Sequence, residues 1–134
     1  MSYGVQTEIL ANVKQIAELQ SAFHVALAKA HFRFFRDLQN SFACGDFFFA
    51  HAGVKPNVEL SRQKESDLLW IREEFLSSNC DFGKIIVHGH TPTSEIELGP
   101  NRINIDTGAF ATGCLTCLVI EDESLSVIDT SPGS

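Results

Sequence analysis

Apolar positions at alternating steps of three and four dominate residues 5–39. Ile9, Val13, Ile16, Phe23, Leu27, Ala30 and Phe34 trace one helical face, interrupted at Gln20. No proline falls in this stretch, but so long a helix is unusual in a compact domain. The pattern therefore predicts a break between Leu19 and Lys29, with Ser21 as the candidate cap. From Phe42 the period changes. Gly45-Asp46 reads as a turn into Phe47–Ala50, which is apolar at every position, as a strand buried on both faces would be. His51-Ala52-Gly53 ends that strand, and Pro56-Asn57 marks a loop. Ser61 to Phe75 returns to helical spacing: Leu68, Leu69, Ile71 and Phe75 form a partial apolar face, with Trp70 beside it and Arg72, Glu73 and Glu74 on the polar side. Ser61 or Ser66-Asp67 are its candidate caps.

Beyond a turn at Asn79–Gly83, the β-branched run Lys84-Ile85-Ile86-Val87 stops abruptly at His88-Gly89-His90 and Thr91-Pro92. Residues 93–100 read as a hairpin excursion turning at Gly99-Pro100-Asn101. Ile103-Asn104-Ile105 alternates as a half-buried strand does, and Asp106-Thr107-Gly108 turns the chain sharply. Leu115–Ile120 and Leu125–Ile128 form a strand pair around the loop Glu121–Ser124. Residues 130–134 are a polar tail expected to be disordered. About five strands and two or three helices make an α+β fold, with one mixed β-sheet and helices packed on one face. The helices suffice to cover only that face, so further cover is expected from a partner or from sequence outside this chain.

Composition narrows the function classes. The 134 residues are one domain at most, enough to bury a core. A net charge of −7 and no evident Lys/Arg cluster argue against a nucleic-acid or membrane-surface partner. Phosphate chemistry stays open, because a metal can supply the missing positive charge. Of the four cysteines, Cys44, Cys80, Cys114 and Cys117, the last two have CxxC spacing. They lie in a strand-like run that sends residues three apart to opposite faces, and no second CxxC completes a zinc site, so free reduced thiols are expected. With no signal peptide and no apolar run of about 20 residues, the chain reads as soluble and cytoplasmic.

Candidate chemistry gathers at strand ends. His51 and His90 both terminate apolar runs, where rigid strands fix position and loops carry function, and Gly89 lets the backbone approach whatever the imidazoles hold. Taken alone, His88-Gly89-His90 reads equally as two histidines at a strand-to-turn junction. His24 and His31 have no carboxylate or cysteine three or four residues away and read as surface or packing residues.

Four segments carry a family resemblance: Phe49-Ala50-His51-Ala52-Gly53-Val54-Lys55-Pro56, Asp67-Leu68-Leu69-Trp70-Ile71-Arg72-Glu73, Val87-His88-Gly89-His90-Thr91-Pro92 and Asn104-Ile105-Asp106-Thr107-Gly108-Ala109. In this order they resemble the bacterial serine/threonine protein phosphatases of the phosphoprotein-phosphatase type of calcineurin-like metallophosphoesterases. The likeness runs from about Ser2 to Val127. The family's N-terminal motifs Gly-Asp-x-His-Gly, Gly-Asp-x-x-Asp-Arg-Gly and Gly-Asn-His-Glu do not occur. The resemblance thus implies the C-terminal half of an αββα sandwich: a partial metallophosphoesterase domain over 1–129, helical over 5–39, with sheet and active-site loops over 45–129.

By resemblance, His51 and His90 match the two histidines of the second metal, and Arg72 matches an arginine that contacts substrate phosphate. His88 matches no ligand and reads as a loop residue or one supporting a ligand from behind. Asp106 has two readings, a carboxylate that fixes the tautomer of a ligand imidazole or a turn aspartate capping local N–H groups. The complete enzyme would hydrolyse phosphomonoesters of a phosphorylated protein or a small phosphoester by metal-activated hydroxide, using two divalent ions (Mn, Fe or Zn). This chain would bind at most one of them, weakly, and is expected to be inactive alone. Its partner would be the missing N-terminal half, or another copy through an exposed sheet face. Two alternatives stand beside this reading: a fragment of a diadenosine tetraphosphatase-like nucleotide hydrolase, and a truncated remnant without catalysis that self-associates.

Overall fold

A computed structural model describes residues 13–131, which divide between Gln39 and Asn40 into two compact units. The first holds α1 (Val13–Ala26) and α2 (Lys29–Asp37). The break expected between Leu19 and Lys29 falls at Leu27-Ala28. Ser21 does not cap it: the residue lies inside α1, where its hydroxyl donates to the Ala17 carbonyl at 2.9 Å. The apolar stripe is not a buried face, since Ile16, Phe23 and Phe34 are all exposed. Its earlier part, at Ile9, lies outside the described residues. Helical spacing also assembles a basic group that the linear sequence hides. Lys29, Arg33 and Arg36 recur at four and three residues and line, with His24, Leu27 and Phe32, a cleft of 310 Å³.

The second unit is a mixed α+β structure. Its five-stranded sheet has the order β1-β2-β3-β5-β4, from β1 (Ser41–Cys44), β2 (Phe47–Ala50), β3 (Ile85–His88), β4 (Glu97–Leu98) and β5 (Arg102–Asn104). β2, β3 and β5 run parallel, with Phe48 opposite Ile86 and Val87 opposite Ile103; β1 and β4 are antiparallel edges. β1 is an addition to the expected strands, folded onto β2 through the two-residue loop Gly45-Asp46. Gly45, at φ +53°, occupies the first loop position, where such hairpins favour glycine. β3 is central and buried at Ile86, Val87 and His88, the near-continuous apolar run of a parallel strand.

The helical stretch Ser61–Phe75 is in fact broken. A 3₁₀ turn at Leu60–Arg62 precedes α3 (Glu65–Trp70) and α4 (Glu73–Leu76), and neither Ser61 nor Ser66 caps them: Lys64 occupies the N-cap of α3 without a side-chain bond. These short elements bring Leu68 and Phe75 onto one face of the sheet, where they join Phe48, Val54 and Ile86 in the core. Loop 76–80 is tied down by the polar side chains of Asn101 and Arg102. Asn101 Nδ2 donates to the carbonyls of Ser78 (3.1 Å) and Cys80 (2.8 Å), and the Arg102 guanidinium donates to those of Ser78 and Leu76 while lying over the Phe75 ring.

After β5 the chain forms a one-turn α5 (Ala109–Thr112) and the hairpin β6 (Thr116–Glu121) and β7 (Ser124–Asp129). Thr130 prolongs this hairpin, exchanging hydrogen bonds with Leu115; the rest of the tail expected to be disordered, residues 132–134, lies outside the described residues. Leu118 and Ile120 of β6 face Phe42, Phe47 and Phe49 across a groove of 660 Å³. That groove explains why β2 is not buried on both faces: only Phe48 is fully buried, and Phe47 and Phe49 are half-covered. All four cysteines are free thiols, and no described helix is long and apolar enough to cross a membrane.

Gly53 admits the Phe75 ring beneath the loop after β2. Its φ is +143°, and a Cβ there would lie 2.6 Å from Phe75 Cε1 and 2.7 Å from Cγ, a clash with a ring that has no exposed surface. Gly53→Ala is expected to cost about 3 kcal/mol or more in urea unfolding. Phe75→Ala is expected to cost about 3–5 kcal/mol through the cavity it leaves.

Candidate active site

β2 and β3 end side by side, and the bond from Gly89 N–H to the His51 carbonyl (2.9 Å) extends their pairing one step past the strands. This brings His51 Nε2 to 3.0 Å from His90 Nδ1, with ring centroids 4.9 Å apart. Trp70, at the end of α3, stands perpendicular to His90 at 5.7 Å between centroids, and its indole is otherwise largely exposed. Arg72, just before α4, is exposed and directs Nη1 to the Thr91 hydroxyl at 3.4 Å, a long bond. His51, His90 and Arg72 therefore share one edge of the sheet.

His90 is held unusually. Its φ of +68° is left-handed, a conformation that bulky residues avoid, and its Nε2 is buried without a hydrogen-bond partner. Burial lowers its pKa, and the charge of Arg72 and the proximity of His51 add to that effect, with Asp106 opposing. The imidazole is thereby held neutral near pH 7, the form that offers a lone pair to a metal. Two nitrogens 3.0 Å apart suit one borderline ion, for which metal–nitrogen bonds are about 2.0–2.1 Å. Among the described residues no group of three or more His, Cys, Asp or Glu that could hold a metal ion is assembled.

His88 and Asp106 do not act on the pair through hydrogen bonds. His88 is no loop residue: it ends β3 inside the core, edge-on to Phe75 at 4.9 Å, with Nδ1 3.2 Å from the Gly89 carbonyl and Nε2 unpartnered. Alternation along the strand puts it on the same face as Ile86. Asp106 takes the turn role, its Oδ1 accepting from Gly108 N–H at 3.0 Å, and reaches the histidines only as a charge. His24 and His31 belong to the first unit; His24 contacts Phe32, ring to ring, at 6.2 Å.

Asn104 was hidden by its pattern. Between Ile103 and Ile105 it reads as the solvent side of a strand, yet it is buried. Its Nδ2 donates to the Thr91 carbonyl (2.9 Å) and lies 3.4 Å from Thr93 Oγ1, and its Oδ1 accepts from Asp106 N–H (3.0 Å). The available signal was the sequence position itself, a polar residue in a strand beside the central one, with no second layer of turns yet drawn to receive it. No protein-family model matches this chain, and no curated protein matches it significantly.

Burial also lowers the pKa of His88 from 6.5, with Arg102 adding to that effect and the Gly89 carbonyl and nearby carboxylates opposing. Below about pH 6.5 the unfolded chain binds the proton more readily than the folded one, so stability is full above that pH and declines as pH falls toward the lowered folded value. Urea midpoints measured at pH 7.5 and 5.5 are expected to drop at the lower pH, and His88→Leu is expected to reduce that drop.

Proposed function

We propose that this chain carries the C-terminal part of a metal-dependent phosphoprotein phosphatase that hydrolyses phosphomonoesters. The observation that carries the reading is the approach of His51 Nε2 to His90 Nδ1 across parallel β2 and β3, with Arg72 at the same edge. Three of the four sequence segments that resemble the bacterial serine/threonine protein phosphatases supply these same three side chains. The mixed sheet, with α3 and α4 packed on one face and Leu118 and Ile120 of β6 facing the groove beside β1 and β2, is in keeping with half of an αββα sandwich as the finer fold.

His51 and His90 would hold a divalent ion of the Mn, Fe or Zn type as neutral imidazoles. When bound, such an ion supplies Lewis acidity and lowers the pKa of water. Arg72 presents a planar donor fork to phosphoryl oxygens, where it stabilises charge developing during displacement at phosphorus. Trp70 stands edge-on beside His90 and walls one side of it. Phosphorylated Ser/Thr side chains of a protein are the favoured substrate, and the remaining metal ligands would come from a segment beyond these residues or from a second chain.

Trp70 is the only tryptophan, so its fluorescence reports on this edge of the sheet. Ni²⁺, which suits imidazole, is expected to quench it at saturable concentrations, and His51→Ala or His90→Ala should each weaken the quenching about tenfold or more. Quenching indifferent to both substitutions would remove the metal-site reading. The purified chain with Mn²⁺ is expected to show no turnover of p-nitrophenyl phosphate above the blank; robust turnover would contradict the incomplete-site part of the proposal.

A further inference from the structure

The turn that presents His90 has no intrinsic reason to hold its shape. His90 sits in the left-handed region, Gly89 before it is conformationally free, and Thr91 N–H closes only a tight local bond to the Gly89 carbonyl (2.8 Å). Besides the bond from Gly89 N–H to the His51 carbonyl (2.9 Å), the hydrogen bonds that fix the turn from outside come from the neighbouring segment. Thr93 N–H donates to the Asp106 carbonyl (3.0 Å), and Asn104 Nδ2 donates to the Thr91 carbonyl (2.9 Å) while its Oδ1 accepts from Asp106 N–H (3.0 Å). Asn104 is 2 % exposed and its backbone lies opposite His88 in the β3–β5 register, so its side chain cannot relax toward solvent. One buried amide thus satisfies both strands of the loop pair.

Thr91 is the junction. Its carbonyl is gripped by Asn104, and its hydroxyl is the resting partner of Arg72. We infer that Asn104 is a positioning residue that aims His90 at His51 and, through Thr91, sets where Arg72 rests. The inference rests on reading His51 and His90 as a metal-binding pair, and adds the device that keeps the pair and the arginine in register. Loss of the amide leaves the Thr91 carbonyl and Asp106 N–H without partners and frees the His90 backbone to leave its left-handed conformation.

Ni²⁺ titration followed by Trp70 fluorescence tests this in the whole chain. Asn104→Ala is expected to weaken Ni²⁺ binding about tenfold or more. Asn104→Asp, which preserves volume and the acceptor for Asp106 N–H but removes the donor to Thr91, should weaken it similarly and carries the test if the alanine variant does not fold. Leu76→Ala, which loosens the core without removing a hydrogen bond of the His90 turn, serves as a control for lowered stability and should keep wild-type affinity. Folded Asn104 variants that bind within twofold of wild type would overturn the inference while leaving the metal pair intact. An equal loss in Leu76→Ala would overturn it as well, by making the effect one of general loosening. Absence of His51- and His90-dependent binding in the unsubstituted chain would instead strike the proposed function itself.

Discussion

The parallel pairing of β2 with β3 is the constraint on which the site depends. Phe47, Phe48 and Phe49 lie opposite Ile85, Ile86 and Val87, so two strands far apart in sequence start and stop together. Because neither strand can slip without moving Phe48 and Ile86 out of the core, the register is fixed by burial. The imidazoles that follow each strand are then delivered to one place. Their 3.0 Å separation is a consequence of sheet register as much as of any loop.

That dependence explains what the sequence could disclose. β2, β3 and the β6–β7 hairpin were legible because each is a short apolar or alternating run bounded by turn residues, and His51 and His90 were legible because they stand at the ends of such runs. β1 was not, since Ser41–Cys44 has an exposed, mixed pattern and is a strand only by virtue of its pairing with β2. The segment 61–75 read as one helix because its apolar spacing is continuous. It breaks at Ile71-Arg72, which lets Leu68 and Phe75 both reach the sheet.

The candidate site was legible to the extent that its members end strands or follow a recognisable motif, which covers His51, His90 and Arg72. The buried polar residues around them were not. Asn104 looked like the outer position of an alternating strand, and His88 like part of a loop, because sequence period does not say which faces of a parallel sheet are covered. The basic cleft of Lys29, Arg33 and Arg36 was missed for a related reason: a cluster counted along the chain is not a cluster counted around a helix.

Gly53 joins these two levels. Phe75, the fully buried centre of the core, sits under the backbone that leads out of His51, and its ring edge also contacts His88. The floor of the histidine edge is therefore also the roof of the hydrophobic interior. Any opening motion that lifted the His51 loop would uncover the Phe75 ring to water, so the histidine edge belongs to the same cooperative folding unit as the interior and does not behave as an independently mobile flap.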